Sequence, residues 1–364
     1  GVTLIATNGS TFTTGSALLS LENITYTDSN PQIQLSNSTL TTTGARNLIE
    51  AISSTPMVTG PLLTATDSTL NLSGGLLSVE PGAQLTTPTT SALVTLTGGT
   101  HTVATNTGAA LFDVKGAPFT TQTVDGVVLE LGTSPAVHGG TVAAPAALSA
   151  SLLQTSGATV STGTAVRVDT ALLEATAPLI QALANSNVAV SGGAAFQVGT
   201  RATLRNSGSA TSSVVFLDGS RFTANGGPLF NLTGVGGSYL HTVAGDLLFL
   251  TNGSVLDVTS LTNGFLISAA GSSVVDINGA LVRFGTGTNG GNSVIVRNNV
   301  APTNVIPGEG FNFPVVLTGG AQLSQITIQG TPVKNLAGNT ITLTNSGSLF
   351  AIDGAGARIT IRGN

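Results

Sequence analysis

Residues 247–277 read LLFLTNGSVLDVTSLTNGFLISAAGSSVVDI, and the stretch says one thing twice. Large apolar residues alternate with others, a small polar turn follows (TNGS, then AAGSS), and a short strand closes the phrase (VLDV, then VVDI). Leu248 and Leu266 open the two copies, and Asp257 and Asp276 fill matching slots in the second strand of each. One such unit cannot bury its apolar edge alone, whereas a stack of them can. The apolar residues follow a period of two, and Gly, Asn or Ser punctuates every few positions, which is the signature of short strands joined by tight turns.

The rhythm extends outward in both directions. Taking the apolar residue that closes each opening strand gives Ala65, Val79, Leu96, Val114 and Leu131, then Val198, Leu217, Leu232 and Leu250. These intervals define a unit of about 17 residues. A longer beat joins Leu217, Leu250, Phe284 and Leu317, so pairs of units alternate in detail. The pattern predicts an all-β, single-chain parallel β-solenoid running through 1–364 as one continuous body. Irregular excursions are expected near 133–150 and 300–314, both rich in Pro and Gly. An antiparallel β-sandwich series is the competing architecture, and the short, even repeat favours the solenoid. Whether a full coil holds one unit or two stays open, which sets a rod near 100 Å or about half that. Two Ala-rich segments, 142–155 and 171–185, could each carry a helical turn.

Composition narrows the function classes. Only 7% of the 364 residues are charged, against about 25% in ordinary proteins. Eleven Lys and Arg cannot form a phosphate-neutralising stripe, so nucleic acid is a poor partner. No apolar run is long enough for a membrane-spanning helix. The absence of Cys excludes disulfides, thiolate metal sites and cysteine nucleophiles. A start at Gly1 fits removal of a signal peptide, or a cloned fragment.

Few residues stand out for chemistry, and no catalytic, cofactor or metal residue is assigned. Asp113 and Glu130 are 17 positions apart in like slots, and Asp257 and Asp276 are 19 apart. If a coil were one unit, each pair would lie one strand spacing apart, near the separation of about 5–5.5 Å in retaining glycosidases. The same slot elsewhere holds Thr64, Ser78, Thr95, Gln154 and Gln197, as on a merely solvated face. A polysaccharide-active enzyme would also need Arg167, Arg201, Arg205 or Arg283 to converge on the carboxylates. His101 and His241 share the phrase HTVA, which suggests equivalent rung positions. With His138 they form no metal-binding spacing. GVGG (234–237) and GTGTNGGN (285–292) read as turns. Phe112, Phe230, Phe249 and Phe350 each follow Leu, and an internal aromatic ladder is the plain expectation. The sequons at Asn8, Asn23, Asn37, Asn71, Asn231 and Asn252 are what a Ser/Thr-rich chain yields by chance. Thr-x-Thr pairs (Thr11/Thr13, Thr25/Thr27, Thr95/Thr97, Thr340/Thr342) look scattered against the 17-residue unit, as an ice-binding rank would not be.

The surface decides the ranking of functions. Outward strand positions are mostly Thr, Ser, Ala, Asn and Gln, and the mean hydropathy is +0.38; soluble monomers usually carry more surface charge. The first and last stretches, GVTLIATNGSTFT and ARITIRGN, read as strands without a charged stopper, which invites edge-to-edge addition. Units such as LLFLTNGSVLDVTSLTNG and SALVTLTGGTHTVATNTGAALFDV resemble the β-helical passengers of bacterial autotransporters and filamentous haemagglutinin-like adhesins. The resemblance covers nearly the whole chain through composition and rhythm. It implies an exported, adhesive or structural protein and carries over no catalytic residue. The expectation is therefore a non-enzymatic extracellular or cell-surface protein, without cofactor, that assembles with itself as filament, sheath or layer. An adhesin passenger, with a cell-surface or matrix polysaccharide as partner, is the first alternative. A β-helical polysaccharide lyase or hydrolase is the second.

Overall fold

The computed structural model describes the backbone within 4–361, apart from 23–26, 54–56, 87–90, 116–118, 133–136, 142–143, 147–149, 234–237, 261–264, 299–314, 319–324, 329–332, 335–339, 345–347, 354–357 and several single residues and pairs. Side chains are described chiefly within 4–115 and 150–296. The opening stretch is one complete coil. Its four strands, Asp246–Thr251, Val255–Ser260, Phe265–Ala270 and Val274–Ile277, belong to four different sheets, here sheets I to IV. Each sheet stacks ten or eleven strands from successive coils, and the pairings between coils are parallel. The chain is a parallel β-solenoid.

A coil therefore holds two of the 17-residue units, one laying down sheets I and II and the next sheets III and IV. Ala65 and Leu96 are register partners in sheet I, and Val79 and Val114 in sheet III. Coil length varies: 27 residues separate the partners Leu153 and Ile180, and 35 separate Ile180 and Val215. Ten strands at about 4.8 Å make the stack roughly 45 Å deep, the shorter of the two expected rods. The longer beat holds for Leu217, Leu250 and Phe284, which align in sheet I. Leu317 breaks it, because its strand belongs to sheet III and pairs with Ser348–Asp353. At that end of sheet III the order is Phe265–Ala270, Ser348–Asp353, Val315–Thr318, so the later strand lies inside the earlier one.

The core is four walls of inward columns. Sheet I contributes Ile33, Leu63, Val94, Leu153, Ile180, Val215, Leu248 and Val282, all essentially without solvent contact. Burying each such aliphatic side chain is worth about 1.5–3 kcal/mol. Period-two alternation gives each strand one wet face, and parallel register places like residues over like. Sheet III shows the consequence for aromatics: Phe196 and Phe230 stack inside the coil with centroids 4.7 Å apart. Phe112 shares that inward column, and Phe350 shares its backbone register. The expected internal position holds for Phe112 and Phe230, with Val166 between Phe112 and Phe196; the side chain of Phe350 lies outside the described residues, and Phe249 lies outside the column.

The corner from sheet I to sheet II explains the turn spelling. These corners turn through a left-handed backbone at Asn8, Asn37, Asp67, Gly98, Gly157, Gly219 and Asn252, with φ between 47° and 63°, and at some of them the next residue (Gly9, Gly99, Gly253) is left-handed too. Asn, Asp and Gly tolerate that region best. At several corners a buried serine follows: Ser38, Ser68, Ser186, Ser220 and Ser254. The hydroxyl of Ser220 donates to the Asp218 carbonyl and accepts the Ser186 N–H, and the Ser254 hydroxyl likewise accepts the Ser220 N–H at 3.1 Å. Ser38 and Ser68 repeat the contact. The sequons at Asn8, Asn37 and Asn252 are this turn chemistry: an Asn that can turn left, followed by a hydroxyl for the corner.

No α-helix is present among the described residues. In 171–185 the chain forms strands Leu172–Ala175 and Ile180–Leu183, with Pro178 between them to break any helix. In 142–155 it forms Ala144–Ala146 and the start of Leu153–Ser156. Between the partners Val94 and Leu153 the coil is 59 residues long and holds two antiparallel hairpins. The expected excursion near 133–150 meets the second of these, Val137–Thr141 with Ala144–Ala146. The stretch 300–314 lies outside the described residues.

Candidate functional site

The structure takes the acidic pairs apart. Asp113 lies on the outer face of sheet III, in the column Ser78, Asp113, Arg167, Gln197. Glu130 lies in the antiparallel hairpin of Phe119–Val124 with Val127–Gly132, opposite Thr121. Asp257 is in sheet II and Asp276 in sheet IV, on different walls of one coil. The one-rung pairing fails for Asp257 and Asp276 because a coil is two units, and for Asp113 and Glu130 because Glu130 lies in the hairpin that lengthens its coil. The four candidate arginines do not converge either. Arg167 belongs to sheet III, Arg205 to sheet IV and Arg283 to sheet I, while Arg201 sits in a left-handed turn at φ 49°. His101 and His241 are not equivalent: His101 points into the core from sheet II, between Leu70 and Val160, whereas His241 lies on the outer column of sheet IV beside Arg205 and Asp276. The side chain of His138 lies outside the described residues, as does GVGG (234–237). GTGTNGGN (285–292) ends in a corner of the common type, with Gly291 at φ 76° and buried Asn292 accepting the Ser254 N–H.

Instead of a convergent site, the charges form ion pairs along the columns. Asp113 is buried and receives Arg167 Nε at 2.9 Å and Nη2 at 2.5 Å, while Arg167 Nη1 donates to the Gly108 carbonyl. That bidentate hydrogen bond holds the Arg167 guanidinium above its usual range, outweighing its burial. Lys115 bridges Asp113 and Glu80 at 3.1 Å each; burial pulls its ammonium down, and the two carboxylates raise it further. Arg46 pairs with buried Glu50 one side of this cluster. On sheet II Arg221 donates to Asp257 at 2.5 Å, and on sheet IV Arg205 faces Glu174 at 3.7 Å. A cavity of about 400 Å³ beside Arg167 is lined by 102–109, 161–164 and 191–193, chiefly Thr, Gly and backbone. No group of three or more His, Asp or Glu that could hold a metal ion occurs among the described residues.

Two outer faces depart from a random polar surface. On sheet II the first five rungs carry Thr11/Thr13, Thr39/Thr41, Thr69/Asn71, Thr100/Thr102 and Thr159/Ser161, all in register. All ten are exposed or half-buried, and none is charged. The two columns make a grid of about 4.8 Å by about 6.7 Å. Of the Thr-x-Thr pairs named from the sequence, Thr11/Thr13 is thus in step with the coil of about 30 residues rather than the unit of 17. Thr340/Thr342 fall in the same columns, whereas Thr95/Thr97 belong to sheet I and Thr25 lies outside the described residues. On sheet I the outer column opens with exposed Ile5, runs through Gln34, Thr64, Thr95, Gln154 and Gln181, and then changes to Phe216, Phe249 and Arg283. Phe216 and Phe249 stack at 5.1 Å outside the coil, and the Arg283 guanidinium lies 3.8 Å from the Phe249 ring centre. Sequence reading placed Phe249 with the internal phenylalanines because it too follows Leu. In LLFL the ring is one position out of phase with the inward Leu248 and Leu250, and that phase was the available signal.

No family model matches the chain, and no curated protein matches it. Among solved structures, the crystal structure of a TibA fragment hyper-glycosylated by TibC is similar at 15% identity over 98% of this chain and 100% of that one. Its TM-score is 0.17, so the likeness carries no argument about what this chain does.

Proposed function

We propose that this chain is a non-enzymatic structural β-solenoid of the cell surface or exterior that associates laterally with copies of itself. The observation that carries the reading is the uncharged threonine flank of sheet II across the first five rungs. Methyl and hydroxyl groups on a flat, regularly spaced face are cheap to desolvate compared with charges. Extended low-charge faces are also what monomeric proteins avoid. The ion-paired carboxylates support the non-enzymatic part, since Asp113 and Asp257 are already engaged by arginines. Negative-stain electron microscopy over a concentration series tests the proposal: ribbons or sheets of aligned rods growing with concentration are expected, and single rods throughout would refute it. Release of reducing or unsaturated ends from a polysaccharide panel would refute the non-enzymatic part.

A second reading rests on the same grid. Its two spacings are close to oxygen repeats on faces of ice, and threonine pairs a hydroxyl with a methyl at each node. A thermal hysteresis assay separates the two readings, because a self-associating flank gives none.

A further inference from the structure

We infer that the outer face of sheet I, at Phe216, Phe249 and Arg283, is a binding site for an acidic saccharide. This goes beyond self-association and stands without it. Five rungs of the column carry Gln or Thr, and two successive rungs then carry half-exposed phenylalanines in a chain with only 13. Beside them runs a shallow groove of about 300 Å³, lined by Thr176, Pro178, Thr211, Ser212, Phe216 and Phe249. Its wall supplies hydroxyls: Ser209 and Thr211 are exposed and 2.9 Å apart, and the Ser212 hydroxyl donates to the Thr176 carbonyl at 2.9 Å.

Arg283 does not line the groove itself but touches two residues that do, Phe249 and Thr211, in a fixed pose. Asp246, with no solvent exposure, approaches its Nε at 2.6 Å through Oδ2 and accepts the Ala280 N–H through Oδ1 at 2.6 Å. Arg283 Nη2 donates to the Thr211 carbonyl at 2.7 Å, on the wall of the groove. Nη1 has no partner among the described residues. A guanidinium already immobilised loses little entropy on binding a second carboxylate, and its Nη1 can donate to one. The two rings face each other along the stack and both line the groove, which leaves their edges rather than their shared faces for a ligand, and ring edges carry the positive end of the quadrupole. Ring edges, hydroxyls and one oriented cation together favour a ligand rich in oxygen and negatively charged. A uronic acid residue of a polysaccharide has that chemistry.

The test is calorimetric titration of the full chain with trigalacturonate and with the neutral galactotriose. Phe216→Gln installs the side chain that Gln181 carries one rung earlier, so the coil is expected to keep its melting temperature. Arg283→Lys keeps a cation beside Asp246 and removes Nη1 together with the Nη2 contact to Thr211. The native chain should bind the acidic trisaccharide at least about tenfold more tightly than the neutral one, and each variant should weaken it about tenfold. No binding, equal binding of the neutral sugar, or unchanged binding by a folded Phe216→Gln protein would each overturn the assignment.

Discussion

Two phenylalanine stacks in this molecule are nearly the same object. Phe196 and Phe230 stack at 4.7 Å and 19°, and Phe216 and Phe249 at 5.1 Å and 28°. The first pair faces into sheet III and is fully buried; the second faces out of sheet I and is half-exposed. Parallel register at one-rung spacing produces both, so stacking by itself says nothing of purpose. Phase against the neighbouring apolar residues decides which stack holds the coil together and which is offered to solvent.

Substitution sharpens that difference. Phe230→Ala should cost about 3–5 kcal/mol, because the cavity opens in a closed coil that cannot collapse; equilibrium denaturation measures it. A cost below about 1 kcal/mol would mean the inner stack is not core. Between the two sheets, Ser220→Ala at the corner should cost about 1–3 kcal/mol, since it strands the buried Ser186 N–H. The same substitution at exposed Ser209 should be close to neutral. His101 tests the inner face by titration. Burial lowers its pKa, only partly offset by the Gly98 carbonyl 3.1 Å from Nε2. The unfolded chain takes up the proton near pH 6.5, before the folded one does. Stability should therefore be full above that pH and fall as pH drops toward the depressed folded value. His101→Val, which repeats the Val160 of the next rung, should flatten the melting temperature against pH over that window. Smallest of all, Phe216→Gln on the outer stack should change stability by less than about 0.5 kcal/mol.

Much of the architecture was legible in the letters, for a physical reason. A solenoid repeats its local constraints, so inward columns and corners write themselves into the sequence at every pass. The unit of 17 residues is real, and the alternation of Val79 with Leu96 already held sheets I and III. What the letters did not disclose was how many units close a coil, since that depends on how four walls meet. Everything built on register inherited the gap. Asp257 and Asp276 read as stacked at the 17-residue unit and lie on different walls, while the same unit hides Thr39/Thr41 and Thr100/Thr102 as members of one rank. Arg283 was named as a candidate, but its partners Asp246, Thr211 and Phe249 come from 72 to 34 positions away and meet only through the coil.

The central claim is that the threonine flank of sheet II is a self-association surface. Sedimentation velocity across a concentration series measures it, comparing the native chain with Thr41→Lys/Thr102→Lys and with Gln154→Lys on sheet I as the control. Concentration-dependent growth of the native chain and the control, abolished by the threonine substitutions, is the predicted result. A native chain that sediments as a monomer at every concentration, or a threonine variant that associates as the native does, would contradict the account.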